Sequence, residues 1–155
     1  MTQRITPFLW FDGRAEEAMN FYTSIFPNSK IDNINHIGPD GSMAMGTFTL
    51  DGQQFMALDG GPMFTFSPAI SMFVSCETQA EVDDLWERLG DGGAYEQCAW
   101  LRDKFGISWQ IVPTALGRLM GDPDPAKSQR VMQAMLQMTK IDIQGLQDAY
   151  DGPAR

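Results

Sequence analysis

In the first half of the chain the apolar residues switch from strand spacing to helix spacing and back. Ile5 to Phe11 is a run of large apolar side chains broken only by Thr6 and Pro7, as in a strand. Ala15, Ala18, Met19, Tyr22, Ile25 and Phe26 then recur at helical intervals. Asp12 is placed to cap that helix, Glu16 and Glu17 suit its positive end, and Pro27-Asn28 stops it. Residues 29–37, 42–50 and 54–59 read as strands, divided by the turn signals Gly38-Pro-Asp-Gly41 and Asp51-Gly52.

The same order then returns. Residues 69–76 alternate as a strand does, and Thr78 with Glu81 forms a capping box. Val82, Leu85, Trp86 and Leu89 repeat Ala18, Phe21, Tyr22 and Ile25 at one constant offset, with Gly90 and Gly92-Gly93 ending the helix. Residues 96–101 and 106–112 are the next strands. The hairpin Leu50-Asp-Gly-Gln-Gln-Phe-Met-Ala57 resembles Asp103-Lys-Phe-Gly-Ile-Ser-Trp-Gln110. A duplicated strand–helix–strands unit explains both matches.

Beyond Pro113 the pattern turns helical. Asp122-Pro-Asp-Pro125 starts a helix over 126–138, which carries Val131, Ala134, Met135 and Met138 on one face. Asp142 caps a last short helix with Leu146, Ala149 and Tyr150, and 151–155 reads as a frayed end. The expectation is one α+β domain over 1–155, with modules at about 1–64 and 65–113 whose strands curl around a cup. A helical extension covers 114–155.

Composition narrows what the cup can meet. A net charge of -9 with no basic stripe speaks against nucleic acid and anionic membrane, while a neutral or cationic ligand is allowed. No apolar run approaches the roughly 18 residues that span a bilayer, and the N-terminus has no apolar signal core. Cys76 and Cys98 are too few for a disulfide scaffold, so a cytoplasmic location is expected.

The stretches I-T-P-F-L-W-F-D-G, F-M-A-L-D-G-G-P, C-A-W-L-R-D-K-F-G-I-S-W-Q-I-V-P and Q-R-V-M-Q-A-M-L-Q-M-x-K-I-D-I carry a family resemblance. They resemble the PhnB-like branch of the vicinal oxygen chelate superfamily, often named as 3-demethylubiquinone-9 3-methyltransferase domains. The superfamily includes glyoxalase I, extradiol dioxygenases and bleomycin-resistance proteins. The resemblance implies two tandem βαβββ modules in a curved mixed sheet around a cup, and a homodimer. In metal-dependent relatives the first and last strand of each module supply the ligands. Those places fall on Pro7 (or Thr6), Ala57, Ser71 and Gln110, which is a poor donor set for a divalent transition metal. No metal and no cofactor are expected.

The residues themselves exclude further chemistry. His36 is the single histidine, so the two-histidine iron site of an extradiol dioxygenase cannot form within one chain. Glyoxalase chemistry needs a carboxylate beside a metal, and Gln110 lacks that basicity. His36 reads as a surface residue, Cys76 as a core thiol, and Cys98 as a small packing residue near the cup mouth. Leu58-Asp-Gly-Gly61 resembles a cofactor loop, yet Pro62 to Pro68 is not helical, so S-adenosylmethionine binding is disfavoured.

Strand alternation assigns the cup lining. Ser71, Phe73, Ser75, Ser108, Gln110 and Val112 should face inward, with Met72, Val74, Cys76, Ile107, Trp109 and Ile111 toward the helices. The same register turns Phe55, Ala57 and Asp59 inward, with Trp100 and Asp103 at the rim. The candidate ligand-binding set is therefore Phe55, Asp59, Ser71, Phe73, Trp100 and Gln110; no catalytic residue is assigned. The expected function is metal-free binding of a small molecule. The alternatives are a metal-dependent lyase or isomerase, sequestration of a cationic drug, or a structural dimer with a Met-rich contact surface.

Overall fold

The computed structural model describes residues 3–153, so the two outermost residues at each end of the sequence lie outside it. The chain divides into two compact units, 1–66 and 67–155.

The first unit runs β1 (Phe8–Phe11), α1 (Ala15–Ile25), β2 (Lys30–Ile37), β3 (Met43–Leu50) and β4 (Gln53–Asp59). Its mixed sheet has the order β1-β4-β3-β2, with β1 parallel to β4 and the other pairs antiparallel. One face of the sheet carries Phe48, Phe55 and Ala57 against Ala18, Met19 and Tyr22 of α1, all buried. Tyr22 stacks on Phe48 at 6.3 Å and Phe48 on Phe55 at 5.3 Å between ring centroids. Those large rings supply much of the burial that holds α1 to the sheet.

The start of α1 corrects the sequence reading. Asp12 is exposed and does not cap the helix. Arg14 occupies the N-cap position without a side-chain capping bond. Asp59, at the end of β4, replaces it: its Oδ1 accepts from the Ala15 amide at 2.8 Å. A carboxylate from a distant strand thus meets the first free N–H of the helix, where local sequence could not announce it.

The second unit repeats the plan with β5 (Ser71–Cys76), α2 (Gln79–Gly90), β6 (Ala94–Tyr95), β7 (Trp100–Arg102) and β8 (Ser108–Pro113). Its sheet order is β5-β8-β7-β6, with β5 parallel to β8. The duplicated βαβββ topology is therefore present, with one four-stranded mixed sheet in each unit. Thr78 caps α2 as expected, accepting from the Glu81 amide at 3.2 Å. Val82, Leu85, Trp86 and Leu89 of α2 are buried, as are Cys76, Leu101, Trp109 and Ile111 of the sheet. The expected strand over 96–101 is interrupted, because a turn separates β6 from β7.

The extension holds α3 (Thr114–Met120), α4 (Pro125–Leu136) and α5 (Ile143–Asp151). Asp124 and Asp142 cap α4 and α5 by accepting from the Ala126 and Gln144 amides. The frayed end expected from 151 onward begins inside α5, and 154–155 lie outside the described residues. A second small core of Ala99, Leu116, Leu119, Val131, Ile141 and Leu146 binds the extension to this unit. Gln79 of α2 adds polar ties, donating to the Ile141 carbonyl and accepting from the Ile143 amide.

Candidate functional site

The second sheet has one face on α2 and one face free of it, and alternation sorts the residues as the sequence implied. Cys76, Trp109 and Ile111 are buried on the α2 side. Phe73, Ser75, Gln110 and Val112 line a cavity of about 580 Å³. That volume lies within the roughly 300–1,000 Å³ usual for small-molecule sites.

Three sources build its wall. β5, β8 and the start of β7 at Trp100 contribute the sheet residues, the turn before β7 contributes Cys98 and Ala99, and α3 and α4 contribute Leu116, Gly117, Met120 and Met135. Gln110 is oriented by its neighbour strand, since its Nε2 donates to Ser71 Oγ at 2.9 Å. Gln110 pairs with Phe73 of β5 in the parallel register and with Trp100 of β7 in the antiparallel one. Three of the expected binding residues, Phe73, Trp100 and Gln110, are thereby brought together, and Ser71 supports the third.

The Cys98–Ala99 turn has unusual backbone geometry. Both residues have positive φ, 57° and 76°, a conformation uncommon for residues with a Cβ. Two hydrogen bonds hold them there, from the Cys98 amide to the Met138 carbonyl at 2.8 Å and from the Ala99 amide to the Thr139 carbonyl at 2.9 Å. The extension therefore fixes the turn that carries part of the cavity wall.

Phe55 and Asp59 do not belong to this cavity. Phe55 is buried against Phe48, and Asp59, 4% exposed, spends both carboxylate oxygens on backbone amides. Its Oδ1 takes Ala15 N and its Oδ2 takes Ala44 N, at 2.8 and 3.0 Å. The face of β4 that carries Phe55, Ala57 and Asp59 is the α1 face, so Gln54, Met56 and Leu58 lie on the other. The sequence alignment of the two hairpins was one residue out. Gly52 and Gly106, both with positive φ, are the true counterparts, and a one-residue slip exchanges the faces of a strand.

Asp103 is likewise structural, not a rim residue. It is 2% exposed, and it accepts from the amides of Phe105 and Ile107 and from Trp109 Nε1. His36 is exposed, with its ring 3.1 Å from Glu16. Cys76 is buried, and loss of solvation, then the nearby Glu81 and Glu77, push its thiol up to about 11.

The glycines after β4 serve packing. The Trp10 indole lies where a Cβ on Gly60 would stand, and its Nε1 donates to the Gly61 carbonyl at 2.9 Å. Phe64 and Phe66 then pack edge-on against Trp10 and Phe11. No helix follows the glycines, so their amides form no helix N-terminal cradle for a cofactor.

The metal site of the superfamily does not fit this donor set. Correcting the register puts Met56 in place of Ala57, which is no better a ligand. Among the described residues no group of three or more His, Cys, Asp or Glu side chains is placed to hold an ion.

Paired βαβββ modules, with a ligand-sized cavity on the second sheet, define a protein of the glyoxalase and bleomycin-resistance type. A family model described as 3-demethylubiquinone-9 3-methyltransferase matches residues 3–112, and the chain belongs to that family, the PhnB-like branch of the vicinal oxygen chelate superfamily. A PhnB protein from Bacillus cereus is 42% identical, with 72% of this chain and 99% of that one covered at a TM-score of 0.67. A glyoxylase/bleomycin resistance protein/dioxygenase domain from Frankia sp. EAN1pec shares the fold, at 19% identity, 73% and 92% coverage and a TM-score of 0.54. So does the fosfomycin resistance protein FosX from Listeria monocytogenes, in complex with Mn(II) and sulfate, at 13% identity, 72% and 92% coverage and 0.54. A comparison with curated proteins found no match. The family match ends at residue 112, so the extension lies outside it.

Proposed function

We propose that this chain is a metal-free small-molecule-binding protein, with the cavity on its second sheet as the site. The observation that carries the reading is the meeting of Phe73, Trp100 and Gln110 in a wall of ligand-binding size. Aromatic faces beside one oriented amide are what a neutral organic ligand requires. The wall contains no carboxylate, imidazole or amine to serve as general base, which favours binding over catalysis. The family's methyltransferase description is read as inherited, since the glycines after β4 pack against Trp10 and no helix opens after them. A cationic drug finds no anionic partner in this wall, although the chain as a whole carries -9.

The test is native mass spectrometry and metal analysis of protein purified without chelator. A co-purified organic molecule and no stoichiometric transition metal are expected. A transition metal bound one to one overturns the reading.

A second copy of the chain is the proposed partner. Ile5 and Phe8 in the first unit and Ile70 and Phe73 in the second are exposed large apolar residues. A contact between copies would take such side chains out of water, which favours association.

A further inference from the structure

The extension lies beyond the family match, yet it builds one side of the cavity. Leu116 and Met120 of α3 and Met135 of α4 face the sheet residues across that space. The Cys98–Ala99 turn between them is held by Met138 and Thr139. The face of the second sheet that α2 leaves free is thus walled by the helices of the extension. Resting on the proposed binding role, we infer that the extension makes this cavity selective for a neutral, flat, mainly apolar ligand with one hydrogen-bond donor.

Each part of that description has its own source. Neutrality follows from the wall, which holds no Asp, Glu, Lys, Arg or His, so a charged ligand would lose hydration without a counter-charge. Flatness follows from Trp100 and Phe73, while Met120 and Met135 adapt to the ligand's edge. The donor follows from Gln110. One N–H of its Nε2 is given to Ser71, and its Oε1 accepts no hydrogen bond among the described residues, so it is the acceptor a ligand donor would meet.

Gly117 provides the means of testing the wall. It lines the cavity from within α3, and a Cβ added there meets nothing within 4 Å. Its backbone is helical, so a larger residue should be accepted by the fold and should even favour the helix. A side chain at this position starts in open space among the lining residues, which makes it a probe of the helical wall.

The experiment titrates the full chain with N-phenyl-1-naphthylamine, which is neutral, flat and carries a single N–H. The comparison probe, 8-anilino-1-naphthalenesulfonate, has the same rings with an added negative charge. The neutral probe should bind saturably at one per chain, and the sulfonate at least about tenfold more weakly. Gly117→Leu should weaken the neutral probe by about tenfold or more with an unchanged or raised Tm, and Gly117→Ala by a few-fold. Phe73→Ser, at an exposed site, should weaken it through the sheet side.

Equal binding of the two probes, or no binding of either, overturns the inference. Loss of binding in Phe73→Ser with full binding in both Gly117 variants also overturns it, while leaving the sheet cavity as the site. Full binding in all three variants removes the cavity altogether, and with it the proposed function.

Discussion

At the scale of single residues, no buried side-chain nitrogen or oxygen among the described residues lacks a hydrogen-bond partner. Cys76 is the clearest titratable case. Its thiol is raised to about 11 in the fold, whereas an unfolded cysteine titrates near roughly 8.5. The group is neutral in both states below pH 8, so it contributes no pH dependence there. Between about 8.5 and 11 the unfolded chain releases the proton first, so stability falls as pH rises. Denaturant midpoints measured from pH 8 to 11 should show that fall, and Cys76→Ala should flatten it. In the folded protein at pH 8, iodoacetamide should leave Cys76 unmodified. A burial-driven shift of this kind marks an inert thiol, which agrees with the core role read from its alternation with Met72 and Val74.

At the scale of elements, the sequence was most legible where the signal is local. The α1 and α2 stripes, the Thr78 cap, and the Asp124 and Asp142 starts of α4 and α5 all depend on neighbours within one or two turns. Legibility ended where a contact spans distant segments. Asp59 looked like a cup residue because its partners, Ala15 and Ala44, lie far from it in sequence. The lining of the second sheet was readable, since Phe73 and Gln110 share one parity along strands of clear alternation. The lining of the first was not, because hairpins of different loop length align equally well one residue apart. Helix α3 was missed because its seven residues, interrupted by Gly117, are too few to establish a period. With it went Leu116 and Met120, and so the helical wall of the cavity. Asp59 is the element-scale test, since it joins β4 to both α1 and β3. Asp59→Ala should leave two buried amides without an acceptor and lower stability by roughly 3 kcal/mol, read from urea unfolding. Asp59→Asn should recover part of that loss, because its amide oxygen can still accept one of the two bonds.

At the scale of the whole molecule, the family match covers residues 3–112 and the helical extension follows it. Among the described residues no helix is long and apolar enough to cross a membrane. The exposed apolar side chains of both units are the material for the proposed homodimer. If that dimer forms, the Tm should rise with protein concentration, and light scattering should give twice the chain mass. A Tm independent of concentration together with a monomer mass removes it.

The bond from the Cys98 amide to the Met138 carbonyl, with its neighbour from Ala99 to Thr139, has a consequence for biosynthesis. A ribosome delivers residues 98 and 99 well before 138 and 139. During that interval the two amides lack their acceptors and the left-handed turn has nothing to hold it. The βαβββ order of the second unit can form as the chain emerges, but its cavity cannot be finished until the tail has been translated. For the proposed site, ligand competence therefore waits on residues 138 and 139, and a nascent chain stalled before residue 138 should carry the sheet without the finished cavity.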